Sequence, residues 1–185
     1  MEHILLCGRR RSGRSAMIRR LLEGIHAPVF GYETKTLVTR ADGYHEIYLF
    51  PYGAGKTPRR KEHHVADCNT RDRVIHRDVF DTLGTACLNA REDGILVMDE
   101  IGFMESGADV FCRAILEKLD GGLPILAAVR EGMDTDFLRC VKNHPSARLI
   151  SMQPERFDEI YTELIPIIRR WERLYGSVNS DADAH

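Results

Sequence analysis

The chain has 185 residues, of which 43% are hydrophobic and 29% charged, and its formal net charge is −2. That length allows one domain with a full core; the charge balance argues against a general nucleic-acid field, and no apolar run approaches the length that spans a bilayer. Five cysteines (Cys7, Cys68, Cys87, Cys112, Cys140) stand singly without a CxxC pair, and no stretch resembles a signal peptide, so the expected setting is cytoplasmic with reduced thiols.

Ile4 to Gly8 is an apolar run of strand length. A polar loop follows, and then Met17, Leu21, Leu22 and Ile25 recur at helical spacing. Strand, glycine-bounded loop and helix in this order describe a phosphate-binding P-loop (Walker A), G-x-x-x-x-G-K-[ST]. Its glycines let backbone N–H groups turn inward, and the helix N-terminus adds partial positive charge. The predicted cradle is Gly8, Arg9, Arg10, Arg11, Ser12, Gly13, Arg14, Ser15 and Ala16, with the Ser15 hydroxyl as a ligand for Mg²⁺. Arg14 stands where the motif has Lys. A planar, forked guanidinium still binds phosphate, but it places its charge differently from a compact ammonium. Turnover should therefore suffer more than binding, with Arg14 as the candidate catalytic cation.

Val29–Thr39 and Tyr44–Phe50 are rich in β-branched and aromatic residues and are joined through Asp42-Gly43, which predicts a β-hairpin. Pro51 to His64 is polar and basic and reads as a loop. Within it, Gly53-Ala54-Gly55-Lys56-Thr57 imitates a P-loop tail, but Phe50 holds the place of the first glycine and no apolar helix follows. His63, His64 and Cys68 match no structural zinc spacing and read as polar loop residues. Asp78–Arg91 carries Phe80, Leu83 and Cys87 at helical spacing. Ile95 to Glu100, ILVMDE, is a buried strand ending in two acids, the Walker B pattern. Asp99 is placed to hold Mg²⁺ and Glu100 to orient an attacking water, with Glu105 as the competing candidate.

Gly107–Leu119 is a clear amphipathic helix, Leu123–Val129 a buried strand, Thr135–Asn143 a short helix and Ala147–Met152 a last strand. A final helix begins near Pro154, with Pro166 expected to kink or break it. Trp171 and Tyr175 read as packing residues on that helix. Residues 1–175 form one expected domain and 176–185 a disordered tail. Buried strands alternating with helices predict an α/β fold, a mostly parallel sheet with an inserted antiparallel hairpin. Ligands of such sheets sit at the carboxyl ends of the strands, where Gly8 and Asp99 fall.

These pieces together resemble the cancer-related nucleoside-triphosphatase family of small P-loop NTPases. FGYETKTLV (Phe30–Val38) is similar to the family's G-F-x-T-x-E-V, DEIGFME (Asp99–Glu105) to D-E-I-G-K-M-E, and GLPILAAV (Gly122–Val129) to G-K-P-V-L-A-T. NHPSARLISMQPERFDEI (Asn143–Ile160) resembles R-P-G-V-x-L-I-x-[LV]-T-P-E-N-R-D. The resemblance implies a three-layer P-loop sandwich and Mg²⁺-dependent hydrolysis of nucleoside triphosphates such as ATP or GTP. It assigns metal and water-orienting roles to Ser15, Asp99, Glu100 and Glu105. The chain departs from the family at Arg14 and at Phe103, both lysines there. Two other readings of the same residues stay open: a nucleotide-binding regulatory module with vestigial hydrolysis, and a small-molecule kinase with Arg59, Arg60 and Lys61 on a closing lid.

Overall fold

Alternation along the first strand sorts its side chains between two cores. In β1 (His3–Gly8), Ile4 and Leu6 turn to one face of the sheet and pack with Met17, Ile18 and Leu21 of α1 (Arg14–Leu22). Ile160, Leu164, Ile168 and Trp171 of α6 (Phe157–Tyr175) complete that layer. Leu5 turns the other way, into a core shared with Phe111, Ile115 and Leu119 of α4 (Asp109–Asp120). A period of two in the strands and of 3.6 in the helices thus produces three layers, helices over both faces of one sheet. This computed structural model describes residues 1–132 and 134–175; the tail expected at 176–185 lies outside them.

Among the described residues the sheet has eight strands. In addition to β1 these are β2 (Val29–Thr39), β3 (His45–Pro51), β4 (His64–Cys68), β5 (Arg73–Ile75), β6 (Ile95–Ile101), β7 (Ile125–Arg130) and β8 (Ala147–Ser151). Their spatial order is β5-β4-β3-β2-β6-β7-β1-β8. From β2 to β8 every pairing is parallel, while β2-β3, β3-β4 and β4-β5 are antiparallel. The α/β class and the mostly parallel sheet are as the sequence indicates. The antiparallel part is larger than one hairpin, because the chain from His64 to Ile75 folds back as two further strands. Those strands are short and lack continuous apolar runs, so periodicity gives them little signal.

Two helices also differ from expectation. The predicted helix over 78–91 is three short pieces, α2 (Arg77–Val79), a π-helical turn (Phe80–Gly84) and α3 (Thr85–Leu88). Gly84 lies against Phe111, whose ring would sit 2.7 Å from an added Cβ, so the irregular turn runs close beneath α4. Pro166 does not end α6, which runs unbroken through it to Tyr175. Pro166 and Thr162 are both exposed, so the carbonyl that loses its i+4 partner meets water, while the apolar stripe holds the helix on the sheet. Trp171 is buried at 2% exposure and packs in that layer, consistent with a structural role.

α5 (Asp136–Lys142) starts with Thr135, whose hydroxyl caps the amide of Leu138. Gly31 of β2 faces the backbone of β6: φ is +120°, and an added Cβ would lie 1.9 Å from the Val97 carbonyl oxygen. Gly31→Ala is therefore expected to cost about 3–5 kcal/mol, since a left-handed residue and a backbone clash coincide. Equilibrium urea denaturation of the two proteins measures it; a difference below about 1 kcal/mol would contradict the argument.

Candidate phosphate-binding site

The loop between β1 and α1 is shaped by residues without room to change. An added Cβ on Gly8 would meet the Ser12 hydroxyl at 2.4 Å and the Met152 carbonyl at 3.3 Å. Gly13 has φ +89° and is the N-cap of α1, where it offers no side chain to the first-turn amides. Arg11 also takes a positive φ of 65°. Ser12 is buried and its hydroxyl has no hydrogen-bond partner among the described residues. Around this turn Arg11 to Ala16 and Arg19 line a concavity of 260 Å³. Arg9, Arg10 and Arg11 are exposed; the 4.0 Å pair of Arg9 with Glu131 is exposed too and contributes little.

Strand order carries β6 to this loop. β7 lies between β1 and β6, and all three run parallel, so their carboxyl ends align. As a result the Ser15 hydroxyl donates to Asp99 Oδ1 at 2.7 Å, across 84 residues of chain. Asp99 is buried, and burial raises its carboxyl above the usual range; the Ser15 bond opposes this, and Glu100 nearby adds to the rise. Thr34 donates to the Asp99 carbonyl at 3.4 Å, and Tyr32 donates to that of Glu100 at 3.2 Å. Tyr32 is fully buried edge-on to Phe111, which pushes its phenol well above the ordinary value.

Arg14 is buried as well, and its guanidinium turns toward β6. Nη2 pairs with Glu100 Oε2 at 2.9 Å and donates to the Arg9 carbonyl at 3.4 Å, while Nη1 has no hydrogen-bond partner among the described residues. The other carboxylate oxygen, Glu100 Oε1, is 3.1 Å from Nε of Arg130 at the tip of β7. One carboxylate therefore lies between two guanidinium groups. Sequence reasoning passed over Arg130; its only signal is an Arg closing a buried apolar strand, LPILAAVR, and the strand order gives it a neighbour. A cleft of 190 Å³ opens here, lined by Arg10, Ser15, Thr34, Asp99, Glu100 and Arg130 among others. It adjoins a larger one of 710 Å³ with Arg71, Arg73 and Phe103. Phe103, a lysine in the resembled family, has the Arg73 guanidinium 4.6 Å above its ring, so positive charge stays beside this position.

Glu105 does not line this cleft and is fully buried; Oε2 accepts from the Gly102 amide at 2.8 Å, and Oε1 has no hydrogen-bond partner among the described residues. Burial pushes its carboxyl up to about 7, against the pull of the Gly102 bond. The donors at Ser15 and Asp99, a hydroxyl and a carboxylate, are the hard oxygen ligands that Mg²⁺ takes.

A family model described as NTPase matches residues 3–165. The chain belongs to this NTPase family. It is 27% identical over 177 residues to the nucleoside-triphosphatase THEP1 of Methanothermobacter thermautotrophicus, covering 89% of this chain and 95% of that protein. The THEP1 of Thermofilum pendens is 32% identical over 103 residues, 55% of this chain and 49% of that one. The crystal structure of THEP1 from Aquifex aeolicus matches with a TM-score of 0.72 at 18% identity, covering 92% of this chain and all of that one, which establishes the shared P-loop NTPase fold. No helix among the described residues is long and apolar enough to cross a membrane.

The Glu105 carboxyl yields a pH-dependent prediction. A carboxyl raised from 4.5 to about 7 in the fold keeps its proton where the unfolded chain has lost it, so stability falls as pH rises through this interval. Glu105→Gln removes that penalty. The variant should gain up to about 3 kcal/mol over the parent at pH 8, with the gain vanishing near pH 4. Thermal melts at the two pH values check it; a variant less stable than the parent at pH 8 would show that the carboxylate is needed ionised.

Proposed function

We propose that this NTPase-family chain binds a nucleoside triphosphate with Mg²⁺ and hydrolyses its β–γ phosphoanhydride, slowly, in a reducing cytoplasm. The observation that carries the reading is the 2.7 Å bond between Ser15 and Asp99, which joins the end of the phosphate loop to the acid at the tip of β6. Nothing else about a serine and an aspartate 84 positions apart requires them to meet at the mouth of a glycine-shaped loop. Ser15 and Asp99 would hold Mg²⁺, Asp99 directly or through water. Bound there, the ion would neutralise phosphate charge.

The chain's own groups supply the rest. Amides of the loop from Gly8 to Ala16 receive phosphate oxygens at the positive end of α1. Arg14 and Arg130 meet the charge that spreads over the transferred phosphoryl in the transition state. Both now share Glu100, and a phosphate arriving between them competes for the same guanidinium donors. Glu100, loosened from those pairs, accepts a hydrogen bond from the attacking water and orients it in line with the β–γ bond. The water oxygen bonds to phosphorus, the bridging bond breaks, and the diphosphate departs. Arg14 explains the expected slowness: its charge is committed to Glu100, whereas a lysine at this position would reach the phosphate alone. Glu105, fully buried with Oε1 unpartnered among the described residues, is a candidate for holding Gly102 and the following turn in place.

Phosphate release from ATP and GTP, measured with and without Mg²⁺, tests the reading. Glu100→Gln should lower kcat about 100–1000-fold with little change in nucleotide affinity. Asp99→Asn should instead raise the Mg²⁺ concentration needed for binding. Nucleotide bound tightly with no phosphate released would identify a regulatory module instead, and phosphate appearing only on an acceptor molecule would identify a kinase.

A further inference from the structure

A second cluster of ligating side chains lies in the antiparallel part of the sheet. We propose that His64, Asp67 and His76 form a binding site for a divalent transition-metal cation of the zinc class, separate from the nucleotide site. One ligand atom from each of the three side chains lies within 4.8 Å of the other two. Nε2 of His64 is 3.3 Å from Asp67 Oδ2, and that of His76 is 3.8 Å from it. Ligands at zinc bond lengths on a tetrahedron are about 3.3 Å apart, so the cluster is already near that spacing.

Hydrogen bonding does not account for the arrangement. Both Nε2 atoms are buried and neither has a hydrogen-bond partner among the described residues, although each lies near a carboxylate oxygen. An imidazole nitrogen buried without a partner costs free energy, and two beside one carboxylate call for a shared partner. A cation between them supplies it, since two imidazoles and one carboxylate leave a fourth position for water. His64, His76, Glu62 and Asp78 also line a cleft of 390 Å³ with Lys61 and Thr82, which gives an ion access and two further carboxylates within the same concavity.

The fold has a specific device that builds the cluster. Tyr48 pairs with His64 and Ile47 with Ala66, so β4 carries one extra residue, Val65, against β3. This β-bulge breaks the alternation: Val65 and Ala66 both enter the core, and His64 and Asp67, three apart, share the opposite face. Val74 pairs with Asp67, and His76 follows two residues later on that same face. The Tyr48 ring stacks on His64 at 4.7 Å and fixes its plane. His76 is pinned by its amide, which donates to the Val65 carbonyl at 2.8 Å. β4 is five ladder steps from β1, about 24 Å along the sheet.

The experiment uses the full chain, stripped with a chelator, desalted and titrated with Co²⁺ and then Zn²⁺. One equivalent of Co²⁺ should give the visible d–d absorption of a low-coordinate ion, and Zn²⁺ should displace it. His76→Gln and Asp67→Asn should each weaken Zn²⁺ by more than the about 10–100-fold that loss of an outer partner costs. Circular dichroism confirms that each variant folds, and His76→Gln should keep its Mg²⁺-dependent phosphate release. A Co²⁺ spectrum that stays that of the hydrated ion, or equal Zn²⁺ affinity in parent and folded variants, overturns the proposal. Loss of Zn²⁺ binding in Asp99→Asn but not in the two variants would do so too, by placing the ion at the nucleotide site.

Discussion

Glu100 lies between two guanidinium groups, and the carboxyl edge of the parallel sheet is organised by that contact. Arg14 comes from the helix after β1, Arg130 from the tip of β7 and Glu100 from the tip of β6. Arg14 is buried and the other two are partly buried, so breaking the trio would leave poorly solvated charge behind. Removing Glu100 would leave two cations facing each other across a few ångströms. Removing Arg14 would leave Glu100 with one partner, Arg130, and the loop carbonyl of Arg9 with only the Ser12 amide. The same requirement that keeps the three together positions the loop, because Arg14 spans from Arg9 to β6. Ser15 then has little choice but to face Asp99.

Most of this edge was legible before the fold was known, for physical reasons. Gly8 and Gly13 sit where a loop must turn tightly, and their spacing from a strand and to a helix states the geometry. Asp99 and Glu100 end an apolar run, so they must emerge at a strand tip. Arg130 was not legible: an arginine after a buried strand is ordinary, and only the placement of β7 between β1 and β6 gives it Glu100. Burial of Glu105 could not be read either, since an acid in the turn just after a strand is normally solvated. Arg14 stands out in the sequence as a departure, but its turn toward Glu100 depends on a partner across the sheet.

The antiparallel strands illustrate a different limit. β4 and β5 are short, and their apolar residues do not alternate, because the bulge at Val65 places two consecutive side chains in the core. A pattern rule that assumes strict alternation reads such a stretch as loop. His64, Asp67 and His76 are spaced irregularly along the chain for the same reason, so no ligand spacing betrays them. The irregularity that hides the strand is what brings the three side chains onto one face.

The two outer strands, β5 and β8, are only three and five residues long. A strand at the margin of a sheet leaves its amides and carbonyls open, and another chain can add to it and extend the ladder. Three residues offer a poor template: a few bonds are gained while the incoming segment loses its conformational freedom. On the other margin, Arg148 of β8 is tied to Glu163 on α6, which puts charge along the outer strand. A sheet with a rich apolar centre thus ends on both sides in short strands that offer a second chain little to pair with.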